Sequence, residues 1–343
     1  MIIQASTITV PGAPPLPGLA FRHFRGETDF SAIAAILESC READQLDRVD
    51  TVEDIAKFYA HLSNCDPAQD VLFAEVNDQP IGYQRVTWVT ESEGDQIYMH
   101  YGILSPAWRR RGIGRAMLHA AEARLRQIGS SHEITGPRLL QAFVSETEIG
   151  TNAMLRAEGY QAIRYGFQMV RPLSEPIPAG ILPDGIEVRP IAPDQYRSVW
   201  LAADEAFRDE WGYSPRTDED YRLWLEARWT QPALWRVAWD GDQIVGMVLN
   251  YIDAEENRVH NRSRGYTESI SVRRPWRKRG IATALLLQSL ALLRDMGFQE
   301  AALGVDAENP SGALRVYEGV GFRLVRKFSV YRKPLEAEPS PHV

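Results

Sequence analysis

The chain has 343 residues, a little over twice a typical domain of roughly 150, so two hydrophobic cores are expected rather than one. It is 44% hydrophobic and 24% charged, and no uncharged apolar run approaches the about 18 residues of a membrane-spanning helix, so no transmembrane span is expected. With 38 Lys and Arg against 46 Asp and Glu the formal net charge is −8, which argues against a nucleic-acid binder acting by bulk charge; any anion must be held by local basic clusters.

From the N-terminus, residues 1–18 carry Pro11, Pro14, Pro15 and Pro17 but neither a basic start nor a continuous apolar run. A secretory signal is not expected, the default compartment is the cytoplasm, and the segment reads as a loose arm without chemistry. Cys40 and Cys65 cannot build a disulfide framework, and no CxxC or HxxxH spacing offers a metal cage, so a reducing compartment and no structural metal are expected.

From residue 19 the chain repeats itself: residues 19–172 and 186–334 carry the same signals in the same order, as two copies of one domain. Each opens with a short strand, residues 20–24 and 186–190, that leads into a helical region. A hairpin follows, centred on Asn77-Asp78-Gln79 in the first copy and on Asp240-Gly241-Asp242 in the second, with Gly82 and Gly246 at equivalent places after the turn. A strand then runs into a proline and a basic, glycine-containing segment, from Trp108 to Gly114 and from Trp276 to Ala282. Apolar residues at helical spacing predict a helix after each, through Ile113, Met117 and Leu125 and through Ile281, Leu285 and Leu293, stopped by Gly129 and Gly297. Both copies close on a Gly-aromatic pair, Gly159-Tyr160 and Gly321-Phe322, and a last strand at 167–171 and 328–332. Pro172, Pro176, Pro178 and Pro183 place a linker at 173–185, and 335–343 reads as a tail.

The strand, Arg-x-x-Gly-x-Gly/Ala, helix arrangement at Arg109-Gly112-Gly114 and Arg277-Gly280-Ala282 suits phosphate. A helix N-terminus presents unpaired N–H groups and a partial positive charge, and small residues let the main chain approach closely. Four of the seven residues from Arg109 to Arg115 are basic, and five of the seven from Arg273 to Arg279. A dinucleotide fingerprint would need a third glycine where Met117 stands, and a P-loop would need Gly-Lys-Ser/Thr, which is absent. An arginine-rich solvated helix start accounts for one such segment but not for two in equivalent contexts.

These two segments, each with its hairpin before and its Gly-aromatic pair after, resemble the GNAT superfamily of acyl-coenzyme A dependent N-acyltransferases over nearly the whole chain. The resemblance implies an α/β (α+β) fold of two tandem domains. Each would be a mixed, mostly antiparallel sheet flanked by helices and splayed between its fourth and fifth strands, where acetyl-coenzyme A slots its pantetheine arm. The implied cofactor-binding residues are Val272, Arg277, Lys278, Arg279, Gly280, Ile281, Ala282 and Thr283 in the second copy. Their counterparts in the first are Leu104, Arg109, Arg110, Arg111, Gly112, Ile113, Gly114 and Arg115. The stretch from Asn309 through Ala313 and Tyr317 to Gly321-Phe322 resembles a family block in which the tyrosine sits beside the cofactor sulfur and the asparagine contacts the pantetheine region; Ala313 falls one place late. Asn309 before Pro310 also suits a helix N-cap and first-turn pair, compatible with cofactor contact, and Tyr317 also has the spacing of a core residue.

In the first copy Leu155 stands where Tyr317 would be and Thr147 where Asn309 would be. Leucine cannot donate a proton, so the expectation is a degenerate first domain that still holds coenzyme A and a catalytic second one. Amines with pKa about 10.4 are protonated at neutral pH and need a base. Glu268 is the candidate, its alternative being an ordinary strand-edge carboxylate; His100 stands in its place in the first copy. The oxygen anion would be met by a backbone N–H near Val272, where the family's fourth strand carries a bulge, and Tyr317 would protonate the sulfur.

For a cationic acceptor the candidates are Asp204, Glu205, Asp209, Glu210, Trp211, Tyr213, Asp218, Glu219 and Asp220, with a solvated helix face as the alternative. The function expected is acetyl transfer to a primary amine of a small molecule by a monomer or homodimer, with neither nucleic acid nor membrane as partner. A degenerate first half and an intact second also resemble the mycothiol synthases in architecture, which acetylate a cysteinyl amine. Coenzyme A sensing without catalysis and protein acetylation stand as further alternatives.

Overall fold

The computed structural model describes residues 7–309 and 312–336; Pro310, Ser311, residues 1–6 and the tail from 337 lie outside the described residues. The chain forms two compact units, Met1–Ile163 with Ser329–Val343, and Arg164–Phe328.

The first unit holds β1 (Leu19–His23), α1 (Phe30–Arg41), α2 (Val52–Ala60), α3 (Pro67–Asp70), β2 (Val71–Val76), β3 (Gln79–Thr90), β4 (Gln96–Leu104), α4 (Ile113–Ser130), β5 (Arg138–Ser145) and α5 (Ile149–Ala157). Strands β1 to β4 pair antiparallel in chain order, and β4 pairs parallel with β5 from Gln96↔Arg138 to Met99↔Gln141 and then parts from it. The next strand, β6 (Gln161–Pro172), begins as this unit ends.

The second unit holds β7 (Ile186–Arg189), α6 (Tyr196–Phe207), α7 (Asp218–Glu226), β8 (Arg236–Asp240), β9 (Gln243–Tyr251), α8 (Ala254–Val259), β10 (Arg264–Val272), α9 (Ile281–Asp295), β11 (Glu300–Asp306) and α10 (Ala313–Gly319). Strands β7 to β10 are antiparallel neighbours in chain order, and β10 meets β11 in parallel from Arg264↔Glu300 to Tyr266↔Ala302 before the two diverge. Among the described residues no helix is long and apolar enough to cross a membrane.

The units do not follow the repeat boundaries at 172, 186 and 334. Strand β6, the last strand of the first repeat, pairs with β11 of the second unit from Gly166↔Asp306 to Pro172↔Glu300, and its Met169 is buried with Leu290 and Leu303. The final strand, β12 (Arg323–Pro334), passes into the first unit at Ser329. Tyr331 and Leu335, 0% and 1% exposed, sit there with Tyr98, Leu125 and Leu140. Each repeat thus ends with a strand that completes the other half, an exchange of equivalent elements that preserves the apolar alternation of both cores.

Within the described residues the arm and the start of the tail, expected to be loose, are packed, and so is the linker. Ile8 bridges Phe21, and Val10, Ala13 and Leu16 cover Ile113 and Met117. In the linker Leu173 is buried, and Gly180 lies so close to α9 that a Cβ would stand 2.4 Å from the Ala284 carbonyl oxygen, while Gln288 Nε2 donates to the Gly180 carbonyl at 2.8 Å. Leu335 donates its N–H to the Arg138 carbonyl at 2.8 Å. Gly297 ends α9 in the left-handed conformation at φ +90°, as expected. Gly129 does not end α4: it lies inside the helix, where a Cβ would meet Leu335 at 2.7 Å and Tyr98 at 3.2 Å.

Candidate active site

The two basic segments fold alike. Arg110 and Lys278 both have φ +62°, and the helix-opening Gly112 and Gly280 are left-handed at φ +86° and +80°. The N-cap of each helix is a glycine that makes no side-chain cap hydrogen bond, so among the described residues no capping side chain takes the first-turn amides of α4 and α9, the groups a pyrophosphate would use. The donor set fits the diphosphate of coenzyme A. Ile281, Ala282 and Thr283 would offer their N–H groups, with exposed Lys278 and Arg279 beside them.

The first arginine of each motif does another task. Arg277 donates Nε to the Val272 carbonyl at 2.9 Å, Nη1 to Asp209 at 2.8 Å and Nη2 to the Ala206 carbonyl at 2.9 Å, tying the end of β10 to the end of α6. Arg109 donates Nε to the Leu104 carbonyl and holds Asp44 with both terminal nitrogens at 2.6 Å. These side chains brace the loop. Arg111 lies over the Trp108 ring, and Arg115 pairs with Glu158 at 2.7 Å. Glycine is also needed upstream: a Cβ on Gly246 would stand 2.9 Å from the Ser271 carbonyl oxygen, and one on Gly82 would stand 2.9 Å from Leu104.

Past Tyr266 the gap between β10 and β11 opens, and the expected base lies in it. Glu268 is half-buried, and its Oε1 accepts the Gly304 N–H across the gap at 3.0 Å. Burial pushes its carboxyl up to about 7, against the opposing pull of that hydrogen bond. It is therefore no strand-edge carboxylate.

The next residue, Ser269, has φ +50°, and the register with β9 shifts between Glu268↔Leu249 and Ser271↔Met247. Ser269 and Ile270 together oppose Val248, which is a β-bulge. The bulge lies two to three residues before Val272, so the expected donors move there; Val272 itself pairs in the ladder with Gly246.

Tyr317, 6% exposed, stands edge-on to Phe322 with ring centroids 6.4 Å apart. Burial first, then the charges of Glu268 and Glu210, raise its phenol above the ordinary value, so it stays protonated. No hydrogen bond reaches its hydroxyl among the described residues. Asn309 does not cap α10, whose N-cap is the left-handed Gly312; instead Asn309 Nδ2 donates to Glu210 at 3.0 Å.

Most of the carboxylates expected to meet the acceptor are taken by the protein. Asp204 accepts the Tyr213 hydroxyl at 3.0 Å, Glu205 pairs with Arg273 at 2.8 Å, and Asp218 pairs with Arg197 at 2.6 Å. Glu219 pairs with Arg222, and Asp220 closes a capping box with Thr217. Asp209, held by Arg274 and Arg277, has its carboxyl pulled down to about 2. Glu210 accepts from Asn309 and forms no ion pair among the described residues, and sequence alone gave no sign to separate it from its neighbours. Among the described residues no group of three or more His, Cys, Asp or Glu is placed to hold a metal.

The first unit has the loop, with a different set of residues around it. Its β3–β4 register runs unbroken from Gly82↔Leu104 to Thr90↔Gln96, so the bulge is missing. Leu155 is a core residue at 1% exposure. His100 Nε2 lies 2.9 Å from the Tyr160 hydroxyl, which donates to Glu122 at 3.1 Å, and burial pushes the imidazole down to about 4.

Comparisons with known proteins agree with this geometry. The model of the acetyltransferase (GNAT) family matches residues 31–136 and 200–322, one stretch in each half. The chain is similar to the mycothiol acetyltransferase of Geodermatophilus obscurus, 27% identical over 297 residues that cover 86% of this chain and 92% of that one. It is 30% identical over 234 residues to the same-named protein of Thermomonospora curvata, covering 68% and 72%. Among solved structures, a GCN5-related N-acetyltransferase from Sphaerobacter thermophilus superposes with a TM-score of 0.69 at 26% identity, covering 93% of this chain and 96% of that one. A tandem GNAT protein from the clavulanic acid biosynthesis pathway shares the fold, with a TM-score of 0.63 at 15% identity over 94% of this chain and 100% of that one.

Proposed function

The chain belongs to the acetyltransferase (GNAT) family and is an N-acetyltransferase, and we propose that it acetylates the primary amine of a small molecule using residues of Arg164–Phe328 alone. The observation that carries this reading is the coincidence, in that unit only, of a β-bulge, a gap carboxylate raised to about 7 and a buried phenol without a hydrogen-bond partner among the described residues.

Bound acetyl-coenzyme A supplies the thioester carbonyl and the thiolate that leaves. Glu268, near 7, takes a proton from the incoming amine directly or through water. Backbone donors at the bulge of Ser269 and Ile270 serve the carbonyl oxygen as it gains charge. Tyr317 donates its hydroxyl hydrogen toward the sulfur; an ordinary phenol near 10 is already a weaker acid than a thiol near 8.5, so hydrogen bonding contributes as much as full proton transfer. The α9 N-terminus with Lys278 and Arg279 would hold the diphosphate, and Arg277 and Asp209 keep that loop in place. The reading places the enzyme in the cytoplasm, where acetyl-coenzyme A is supplied.

A second reading, acetylation of a cysteinyl amine as in mycothiol synthesis, is favoured by relatives bearing that name whose length this chain spans almost completely. Quantifying acetylated product by mass spectrometry over a panel of primary amines, a cysteinyl glycoside included, tests both. A chain that binds acetyl-coenzyme A and acetylates no amine contradicts both.

A further inference from the structure

Strands β6, β10 and β11 share the face of the sheet that carries Glu268. Val170, Tyr266 and Ala302 are buried together on it, so Gln168, Glu268 and Gly304, each two residues from one of them along its strand, point to the same side. Met169 and Leu303 point to the other side, where Leu290 of α9 meets them. Gly304 is the direct antiparallel partner of Gln168 and gives its N–H to Glu268. The carboxamide and the carboxylate therefore flank a residue that has no side chain.

Neither conformation nor crowding asks for glycine at that place. Gly304 is exposed, its φ lies outside the left-handed region, and apart from its chain neighbours a Cβ there would meet only Glu268 Oε1 within 4 Å, at an ordinary 3.7 Å. Glycine weakens a strand interior and marks where something else comes close to the backbone. Beside it the carboxamide oxygen of Gln168 is buried without a hydrogen-bond partner among the described residues, an unfavourable state that a donor arriving over Gly304 would relieve.

Resting on the acetyltransferase reading above, we propose that Gln168 and Gly304 form a subsite that orients and selects the acceptor: the oxygen of Gln168 accepts one N–H of the incoming amine, and the open place over Gly304 receives a branched carbon beside the reacting nitrogen. An ammonium ion brings three N–H bonds. Glu268 takes one proton, and the electron pair left on nitrogen attacks the thioester carbonyl. The C–N bond forms, the C–S bond breaks, a second proton leaves the nitrogen and the thiolate gains one, so the N–H that stays in the product amide is the one Gln168 holds. The strand that brings Gln168 belongs to the first repeat, which thus contributes to the chemistry of the second.

The test is kcat and KM, with mass spectrometry of the acetylated product, for serinamide, cysteinamide and a cysteinyl glycoside, whose reacting nitrogen sits on a branched carbon, and for glycinamide, whose nitrogen does not. In Gln168→Leu, kcat/KM is expected to fall by about tenfold or more for every amine used, while the melting temperature is not lowered and calorimetric affinity for acetyl-coenzyme A is little changed. In Gly304→Ala the branched amines are expected to lose about tenfold or more and glycinamide about threefold or less. A folded Gln168→Leu as active as the wild type, or one of lowered stability, overturns the proposal, the second by assigning the carboxamide to the fold. A Gly304→Ala that treats branched and unbranched amines alike, or a wild type that acetylates glycinamide alone, also overturns it, and each of these results leaves the acetyltransferase reading intact. No transfer by the wild type to any of the four amines overturns the reading and the proposal together.

Discussion

Glu268 reaches across the gap between β10 and β11 to accept the backbone N–H of Gly304 at 3.0 Å. This one contact fixes the base in the space where the two strands have stopped pairing, and burial there lifts the carboxyl to about 7. The raised value sets the sign of the pH dependence: below about 7 Glu268 is protonated and cannot accept, and above it the base form dominates. In the wild type kcat/KM is expected to climb with pH through about 7 and level off beyond. Glu268→Gln is expected to lose that limb and about 10² or more in rate. An unchanged limb at about 7 in the variant assigns the ionisation to another group.

Tyr317→Phe removes a hydroxyl that bonds to nothing in the described structure, so folding is expected to be nearly untouched. Turnover is expected to fall by about 10² while acetyl-coenzyme A still binds, as single-turnover rates and calorimetry would show. A variant as fast as the wild type removes Tyr317 from the chemistry.

Lys278 and Arg279 are exposed beside the uncapped start of α9. Reversing both to Glu removes two charge-assisted contacts of about 1 kcal/mol each, so the Kd of acetyl-coenzyme A is expected to rise about thirtyfold, with the difference shrinking at high salt. An unchanged Kd places the diphosphate elsewhere.

The glycine-led starts of α4 and α9 were legible because a left-handed residue before a helix asks for glycine, and the chain supplies Gly112 and Gly280 in matching basic contexts. The bulge was implied only by the family resemblance and its place was not legible, since Ser269 takes the left-handed conformation without the glycine that would announce it. Nor was the strand exchange: 167–171 and 328–332 carry interchangeable apolar patterns, and only long-range pairing decides which core each completes. Glu210 was hidden for the same reason, since Asp204, Glu205 and Asp209 match it in sequence and differ only in the arginines and hydroxyl that occupy them.

That exchange predicts an inverted effect of truncation. Removing Ser329–Val343 strips Tyr331 and Leu335 from the first unit, a loss of at least about 4 kcal/mol in core packing. Hydrogen exchange is expected to quicken in α4 and β5 more than in α9 and β11. Faster exchange confined to α9 and β11 contradicts the assignment of the last strand.

Restoring a tyrosine to the first unit is expected to restore nothing. In a Glu268→Gln background, Leu155→Tyr still lacks the bulge and an available base, because His100 is held neutral against Tyr160. Acetyl transfer is expected to remain at the background of the Glu268→Gln chain, and the enlarged core residue costs about 1 to 3 kcal/mol in stability. Recovery of activity would show the first half to be only one side chain short of a catalyst.

The most direct measurement is the rate of acetylated-amine formation by the wild-type chain and by the Glu268→Gln, Tyr317→Phe double variant, with acetyl-coenzyme A affinity measured on both. The wild type is expected to turn over and the double variant to fall by at least about 10³ while retaining its affinity. A double variant that acetylates at the wild-type rate would place the chemistry outside the gap between β10 and β11.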